Sequence, residues 1–182
     1  MFDEKPKEEQ TSLFTLEMDY EQMMEIPEDY SQIRLSELDN KEVFTGKPQI
    51  SGILTNEYEN GEFDDDGNPL FDTVHKLRLV LTNDDDAEYL DININLKKPD
   101  YNVPVIRKGS VLFDFVQSIL EIENKGCTKG KNVFRNVNLK QFTDFINGTV
   151  NVMAVKNIER KSRNFEYNSF YVVKINNLEL NI

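Results

Sequence analysis

The chain has one cysteine, one histidine and no long apolar run among its 182 residues. A single thiol, Cys127, cannot form an internal disulfide, which is typical of proteins from a reducing compartment. A single imidazole, His75, excludes most catalytic and metal sites that need several histidines. The apolar runs are too short for a membrane span, and the residues after Met1 are too acidic for a secretory signal. We therefore expect a cytoplasmic protein that makes no membrane contact.

Charge is distributed unevenly along the chain. Residues 1–96 carry 25 acidic against 7 basic side chains, whereas residues 97–182 carry 8 against 14, for a net charge of −12. A binding surface responds to its local potential rather than to the total charge. The acidic total therefore does not exclude an interaction between the basic second half and nucleic acid.

The chain length fits one domain with an extension. Residues 1–31 hold ten acidic side chains against Lys5 and Lys7, with an apolar island between Leu13 and Ile26. We interpret residues 1–31 as an acidic, flexible extension. The alternative, which the composition leaves open, is a peptide that docks on a partner or on the chain's own basic half. Residues 32–182 are predicted to form the folded domain.

Alternation of apolar and polar residues predicts three strands in the first half of the domain. They span residues 43–59, 73–82 and 89–96, and Gly52 marks a bulge in the first of them. The second and third strands are joined by a short polar turn, which predicts an antiparallel pair with one face in solvent. That solvent face is expected to carry Lys76, Arg78 and Tyr89.

Two helices and two further strands are predicted in the second half. Residues 97–109 form a loop, after which Ser110 caps a helix that ends near residue 123. A basic loop spans residues 125–135, and Asn138 then caps a shorter helix that ends at Gly148. Residues 149–158 and 169–175 are predicted strands, joined by a basic and aromatic hairpin loop at 160–168.

This order of three strands, helix and two strands resembles that of the OB-fold, a five-stranded Greek-key barrel. The resemblance covers residues 32–182 and rests on the order of elements, without a diagnostic motif. The expected fold is mainly β, a β+α protein with an OB-like barrel and one or two helices between strands three and four. The alternative is a split α+β sheet with its helices on one face.

The resemblance implies a binding site for an oligonucleotide. OB-folds bind single strands on the face of strands two and three and with the loops that join strands one to two and four to five. In such sites cations contact phosphates and aromatic rings stack on bases. The residues predicted to bind nucleic acid are Lys76, Arg78, Tyr89, Lys97, Lys98, Tyr101, Arg107, Lys108, Arg160, Lys161, Arg163, Phe165 and Tyr167. The alternative is that these are ordinary surface cations and the aromatic anchors of a hairpin.

The loop between strands one and two disfavours this site. Residues 57–72 carry seven acidic side chains and no cation, so phosphates would be repelled there. Asp64, Asp66 and Gly67 share part of the spacing of an EF-hand, but Thr73 stands where that motif needs Glu and the flanks are strands. We predict a solvated acidic turn and no metal site.

No side chains in the sequence form a recognisable nucleophile, general base or metal cluster, so we predict no catalytic residues, no cofactor and no enzyme. The resemblance implies a protein that binds single-stranded DNA or RNA, with DNA as the expected ligand, in replication or recombination, as phage proteins of this class do. Such proteins often recruit partners with an acidic tail, but the familiar tails are C-terminal and this one is N-terminal. The alternative function is an acidic protein-interaction module that mimics DNA on the basic surface of another protein.

Overall fold

The structure, a computed structural model, describes residues 26–39, 42–96, 102–124 and 130–179. The strands are β1 (Ser31–Ile33), β2 (Val43–Phe63), β3 (Pro69–Asn83), β4 (Glu88–Leu96), β5 (Asn102–Arg107), β6 (Val133–Asn138), β7 (Met153–Lys161), β8 (Glu166–Ile175) and β9 (Leu178–Glu179). The helices are a 3₁₀ turn (Leu35–Glu37), α1 (Val111–Asn124) and α2 (Leu139–Thr149). Most of the predicted extension lies outside the described residues, and within them no helix is long and apolar enough to cross a membrane.

The main sheet is mixed and has seven strands in the order β1-β4-β3-β2-β7-β8-β9. β1 runs parallel to β4, and the other neighbours are antiparallel. β2 is long enough to pair with β7 through its first residues and with β3 along the rest, so it joins the two halves of the sheet. The prediction of a mainly β protein with two helices is confirmed, but the described strands form an open sheet and no closed barrel.

Apart from its short pairing with β9, the outer edge of β8 is covered by helix α1. The Ser118 hydroxyl accepts a hydrogen bond from the backbone N–H of Val172 at 3.0 Å and donates one to the carbonyl of Phe115 at 2.9 Å. A buried strand amide must find a partner, and here a helix side chain supplies it. The helix therefore covers an edge that a closed barrel would have used for strand pairing.

The core lies between the sheet and both helices. Leu77, Leu79 and Leu81 of β3 are at most 1 % exposed, and the predicted apolar face of β4 is buried with them. α1 is buried on more sides than its helical pattern predicts, since even Asp114 and Ser118 are 1 % exposed. A helix with this degree of burial is packed as part of the core rather than on its surface.

Local features that depend on a few neighbouring residues are confirmed. The Ser110 hydroxyl accepts from the backbone N–H of Phe113 at 3.1 Å, and the Asn138 side chain accepts from that of Gln141 at 3.1 Å. Both helices therefore begin at the predicted caps.

The predicted bulge of the first strand is also confirmed. The register between β2 and β3 shifts between Ile50 and Ile53, a segment that contains Gly52. The side-chain amide of Asn147 in α2 accepts from the Ile50 N–H at 2.7 Å and donates to the Ile50 carbonyl at 2.8 Å. The helix thus satisfies the backbone where the strand pairing is interrupted.

Two segments predicted as loops contain strands. β5 lies within the predicted loop 97–109, and β6 begins in the predicted loop 125–135; they pair with each other as a separate two-stranded sheet. Each has six residues and the two are far apart in sequence, so neither shows a periodicity that reveals it. β7 begins at Met153 and extends to Lys161, later than predicted at both ends.

Candidate nucleic-acid interface

The hairpin of β7 and β8 ends in a short turn that exposes cations and an aromatic ring. The last strand pair joins Lys161 to Glu166, and the backbone N–H of Ser162 donates to the carbonyl of Phe165 at 2.9 Å. Phe165 is 63 % exposed, and its ring centroid lies 5.8 Å from that of Tyr167. A large aromatic ring exposed at a turn contributes little to the core and offers a surface on which a base can stack.

Tyr167 joins this hairpin to the turn that precedes α1. Its hydroxyl donates a hydrogen bond to the carbonyl oxygen of Gly109, which follows the exposed side chains of Arg107 and Lys108. Gly109 has a φ of +99°, a conformation that favours glycine. The contact joins two segments that are distant in sequence, the turn that follows Arg107 and Lys108 and the hairpin that carries Lys161 and Arg163. We call Arg107, Lys108, Lys161, Arg163 and the ring of Phe165 the basic tip.

The charge of the basic tip is only weakly neutralised. Lys161 and Glu166 form an ion pair of 3.2 Å, but their side chains are 79 % and 73 % exposed. An ion pair in this environment contributes little and is easily replaced. The side chains of the tip thus remain available to an anionic ligand such as a phosphate.

Arg160, in contrast, is turned toward the protein. Its guanidinium forms a 2.8 Å ion pair with Asp114 of α1 and donates to the Tyr171 hydroxyl at 2.7 Å. Burial alone would lower the pKa of Arg160, but the hydrogen bond and the charge of Asp114 raise it on balance. Its guanidinium is therefore already engaged in holding β7 to α1.

Arg78 does not lie on a solvent face, so the prediction of its exposure is wrong. It is 3 % exposed and forms a bidentate pair with Asp91 of β4, with distances of 3.1 and 2.7 Å. Val80 on the same face of β3 is also fully buried. Arg78 on β3 and Asp91 on β4 are diagonal neighbours across the sheet. The alternation of polar and apolar residues in β3 does not reveal that the face carrying Arg78 is buried.

Lys76 and Tyr89 are half-buried. The Tyr89 hydroxyl is 3.5 Å from the side-chain oxygen of Gln32 in β1. Lys76 belongs to β3 and Tyr89 belongs to β4, and β2 separates these two strands from β7 and β8 in the sheet order. The predicted site residues that the structure describes therefore include one group on β3 and β4 and another at the basic tip, and the hydrogen bond from Tyr167 to Gly109 belongs to the second group. Lys97, Lys98 and Tyr101 lie outside the described residues.

Sequence reasoning left two further cations out of the predicted site. Lys131 and Arg135 are exposed, and Arg135 pairs with Val105 across the small sheet. The backbone N–H of Lys108 donates to the carbonyl of Asn132 at 2.9 Å, so β6 lies beside the basic tip. The basic composition of residues 125–135 indicates that these cations are present, but it does not reveal which other segment of the chain lies beside them.

At the other end of β2 the chain forms an acidic ribbon. Among the described residues, β4 pairs with β3 as far as His75, and β2 and β3 continue beyond that point as a hairpin. We call residues 57–73 the acidic arm; its carboxylates are Glu57, Glu59, Glu62, Asp64, Asp65, Asp66 and Asp72.

The Asp64 carboxylate stabilises the turn at the end of the acidic arm. Asp64 accepts from the backbone N–H groups of Asp66 at 3.0 Å and Asn68 at 2.8 Å, and the hydrogen bond from Asn68 lowers its pKa. These are the hydrogen bonds of an Asx turn. Throughout the described part of the chain, no group of three His, Cys, Asp or Glu side chains is arranged to hold a metal ion.

No protein-family model, no curated protein and no solved structure matches this chain.

Proposed function

We propose that the protein binds single-stranded nucleic acid, with DNA as the first ligand to test, through the basic tip. The observation that carries the proposal is the hydrogen bond between Tyr167 and Gly109, which joins two segments that carry exposed cations, one of them beside the exposed ring of Phe165. Cations that contact phosphates beside a ring that stacks on a base are the components that single-strand binding requires.

The strand order gives secondary support to an OB-like architecture. β4, β3, β2, β7 and β8 lie side by side, so the first long strand pairs with both the second and the fourth. That pairing is the one expected of a Greek-key OB-like fold, here opened at the edge that α1 covers. The basic tip then corresponds to the loop between strands four and five, which binds ligand in this class.

The test is a titration of a labelled, short single-stranded oligonucleotide by fluorescence anisotropy at several salt concentrations. We expect binding at about 50 mM salt that weakens steeply toward about 200 mM, because each neutralised phosphate releases counterions. The variant Lys161→Ala/Arg163→Ala should weaken binding and lower the salt slope by roughly one for each cation that no longer meets a phosphate.

The matched control removes the same charge elsewhere. Lys140 and Lys174 lie outside the basic tip, in α2 and in the body of β8, and their side chains are 37 % and 38 % exposed. Lys140→Ala/Lys174→Ala should bind as the parent protein does. Absence of binding at about 50 mM salt, or equal losses in both double variants, would contradict the proposal.

The second candidate is an acidic interaction module that occupies the basic surface of another protein. The observation in its favour is the acidic arm, with seven carboxylates and no cation. A partner that is captured after nuclease treatment, from a protein that binds no oligonucleotide, would select this function over the first. The arm variants described below would abolish that capture.

A further inference from the structure

The acidic arm carries large apolar side chains in solvent. Phe63 and Phe71 are 66 % and 54 % exposed, and Tyr58 and Leu70 are 49 % and 39 % exposed. Phe63 pairs with Pro69 and lies on the same face of the ribbon as Phe71, because residues 69 and 71 are two apart in one strand. Several exposed aromatic residues on one projecting element mark a surface that is covered in a complex.

The carboxylates of the arm have no cationic partner among the residues described. None of the ion pairs in that part of the chain involves an arm carboxylate. A surface that covers these aromatic rings is complementary to the arm when it carries cations, since a neutral or acidic surface would leave the carboxylates desolvated or repelled.

The register of the sheet directs the arm and the basic tip in opposite directions. β7 is antiparallel to β2 and pairs with its first residues, from Val43 to Gly46. Counted along the strands from the pair of Gly46 and Met153, β7 continues for about 25 Å to Lys161, and β2 continues the other way for about 55 Å, through two register shifts, to Phe63. One end of the molecule thus presents carboxylates with aromatic rings, and the other presents cations with an aromatic ring.

We propose that the acidic arm of one copy docks on the basic tip of a second copy. The two surfaces are opposite in charge, each exposes aromatic rings, and arm on arm or tip on tip would place like charges together. After such a contact one copy keeps a free tip and the other keeps a free arm, so the association is head-to-tail and open-ended. A single-stranded oligonucleotide that occupies the tip would compete with it, but the contact itself does not depend on the proposed function.

The test is sedimentation velocity of the full-length protein. We expect a weight-average mass that rises with protein concentration at low salt and falls toward the monomer at high salt. An arm variant, Phe63→Ser/Glu59→Lys, and a tip variant, Lys161→Glu/Arg163→Glu, should each associate about tenfold more weakly. Because these side chains are exposed, circular dichroism should report the parent fold in both.

Mixing the two variants makes the test specific. The tip variant keeps an intact arm and the arm variant keeps an intact tip, so an equimolar mixture should form a heterodimer that cannot grow further. The control, Asp85→Lys, makes the same charge change as the arm variant at an exposed site outside the arm and should self-associate at least as well as the parent.

Three results would overturn the proposal: a parent protein that stays monomeric at low salt, variants that associate as strongly as the parent, or a mixture without heterodimer. None of these results depends on oligonucleotide binding. Conversely, loss of oligonucleotide binding with intact self-association would reject the proposed function alone.

Discussion

Arg160 of β7 forms a 2.8 Å ion pair with Asp114 of α1, whose side chain is 1 % exposed. The same carboxylate accepts a hydrogen bond from the Ser169 hydroxyl at 2.6 Å, and the guanidinium also donates to Tyr171. A carboxylate buried to this extent needs such partners. The pair therefore fixes the helix to the hairpin that carries the basic tip.

Replacement of Arg160 should destabilise the fold. Arg160→Ala leaves the Asp114 carboxylate buried without its cation, and loss of one partner of a buried pair costs about 3 kcal/mol at the lower end of the observed range. The lower end applies because the Arg160 side chain is 28 % exposed. Urea unfolding measures the change. Lys161→Ala, which breaks only an exposed pair, should shift the unfolding free energy by less than about 1 kcal/mol.

Tyr171 predicts a specific effect of alkaline pH. Burial, followed by the charge of Asp114, raises its pKa above the ordinary value of 10.0. As the pH rises, the Tyr171 hydroxyl therefore loses its proton in the unfolded chain before it does so in the folded protein. The stability that this difference contributes is complete below pH 10 and is lost as the pH rises through the folded-state pKa.

The variant Tyr171→Phe tests this effect. It should be less stable than the parent near pH 8, by about 1 kcal/mol for the lost hydrogen bond, and the gap should narrow above pH 10. Tyr30, whose pKa is raised by its hydrogen bond to Asp84, is present in both proteins and cancels in the comparison. A gap that is constant with pH would refute the prediction.

The buried pair of Arg78 and Asp91 should behave as a unit. Their side chains are 4 % and 5 % exposed, so Arg78→Met or Asp91→Leu alone removes one partner of a buried ion pair and should cost about 3–5 kcal/mol. The double variant should be markedly more stable than the sum of the single changes implies. Additive losses in this double-mutant cycle would mean that the two side chains do not interact.

Tyr167→Phe tests how the basic tip is assembled. The variant keeps the ring that packs beside Phe165 but loses the hydrogen bond to Gly109, at a cost of about 0.5–1.5 kcal/mol in stability. If that hydrogen bond holds the two cationic segments together, oligonucleotide affinity should fall as well. Tyr58→Phe, which removes an exposed hydroxyl from the acidic arm, is the matched control and should leave affinity unchanged.

Two glycines should respond in opposite directions to alanine. A Cβ at Gly46 would lie 2.8 Å from the backbone oxygen of Thr82, whereas one at Gly148 in α2 would meet nothing within 4 Å. Gly46→Ala should cost about 1–3 kcal/mol because the backbone cannot move aside. Gly148→Ala should add about 0.5–1 kcal/mol, since it lowers the entropy that the chain loses in the helix. Thermal unfolding of the two variants measures both changes.

Features that depend on neighbouring residues were predictable from the sequence. The caps at Ser110 and Asn138, the bulge at Gly52 and the buried face of β4 all follow from side-chain chemistry or periodicity over a few residues. β5 and β6 were missed because each is short and pairs with a strand that lies beyond α1 in the sequence. Pairing over that distance leaves no local pattern.

The sequence by itself determined a mainly β chain with two capped helices, a cationic and aromatic hairpin loop, and an acidic loop. Only the tertiary structure decided that α1 would cover the edge of β8 and leave the sheet open. It also separated cations of similar appearance: Arg78 and Arg160 are bound to carboxylates, whereas Lys161 and Arg163 are exposed. The reason is physical, because burial and pairing depend on which distant strand or helix lies opposite each side chain.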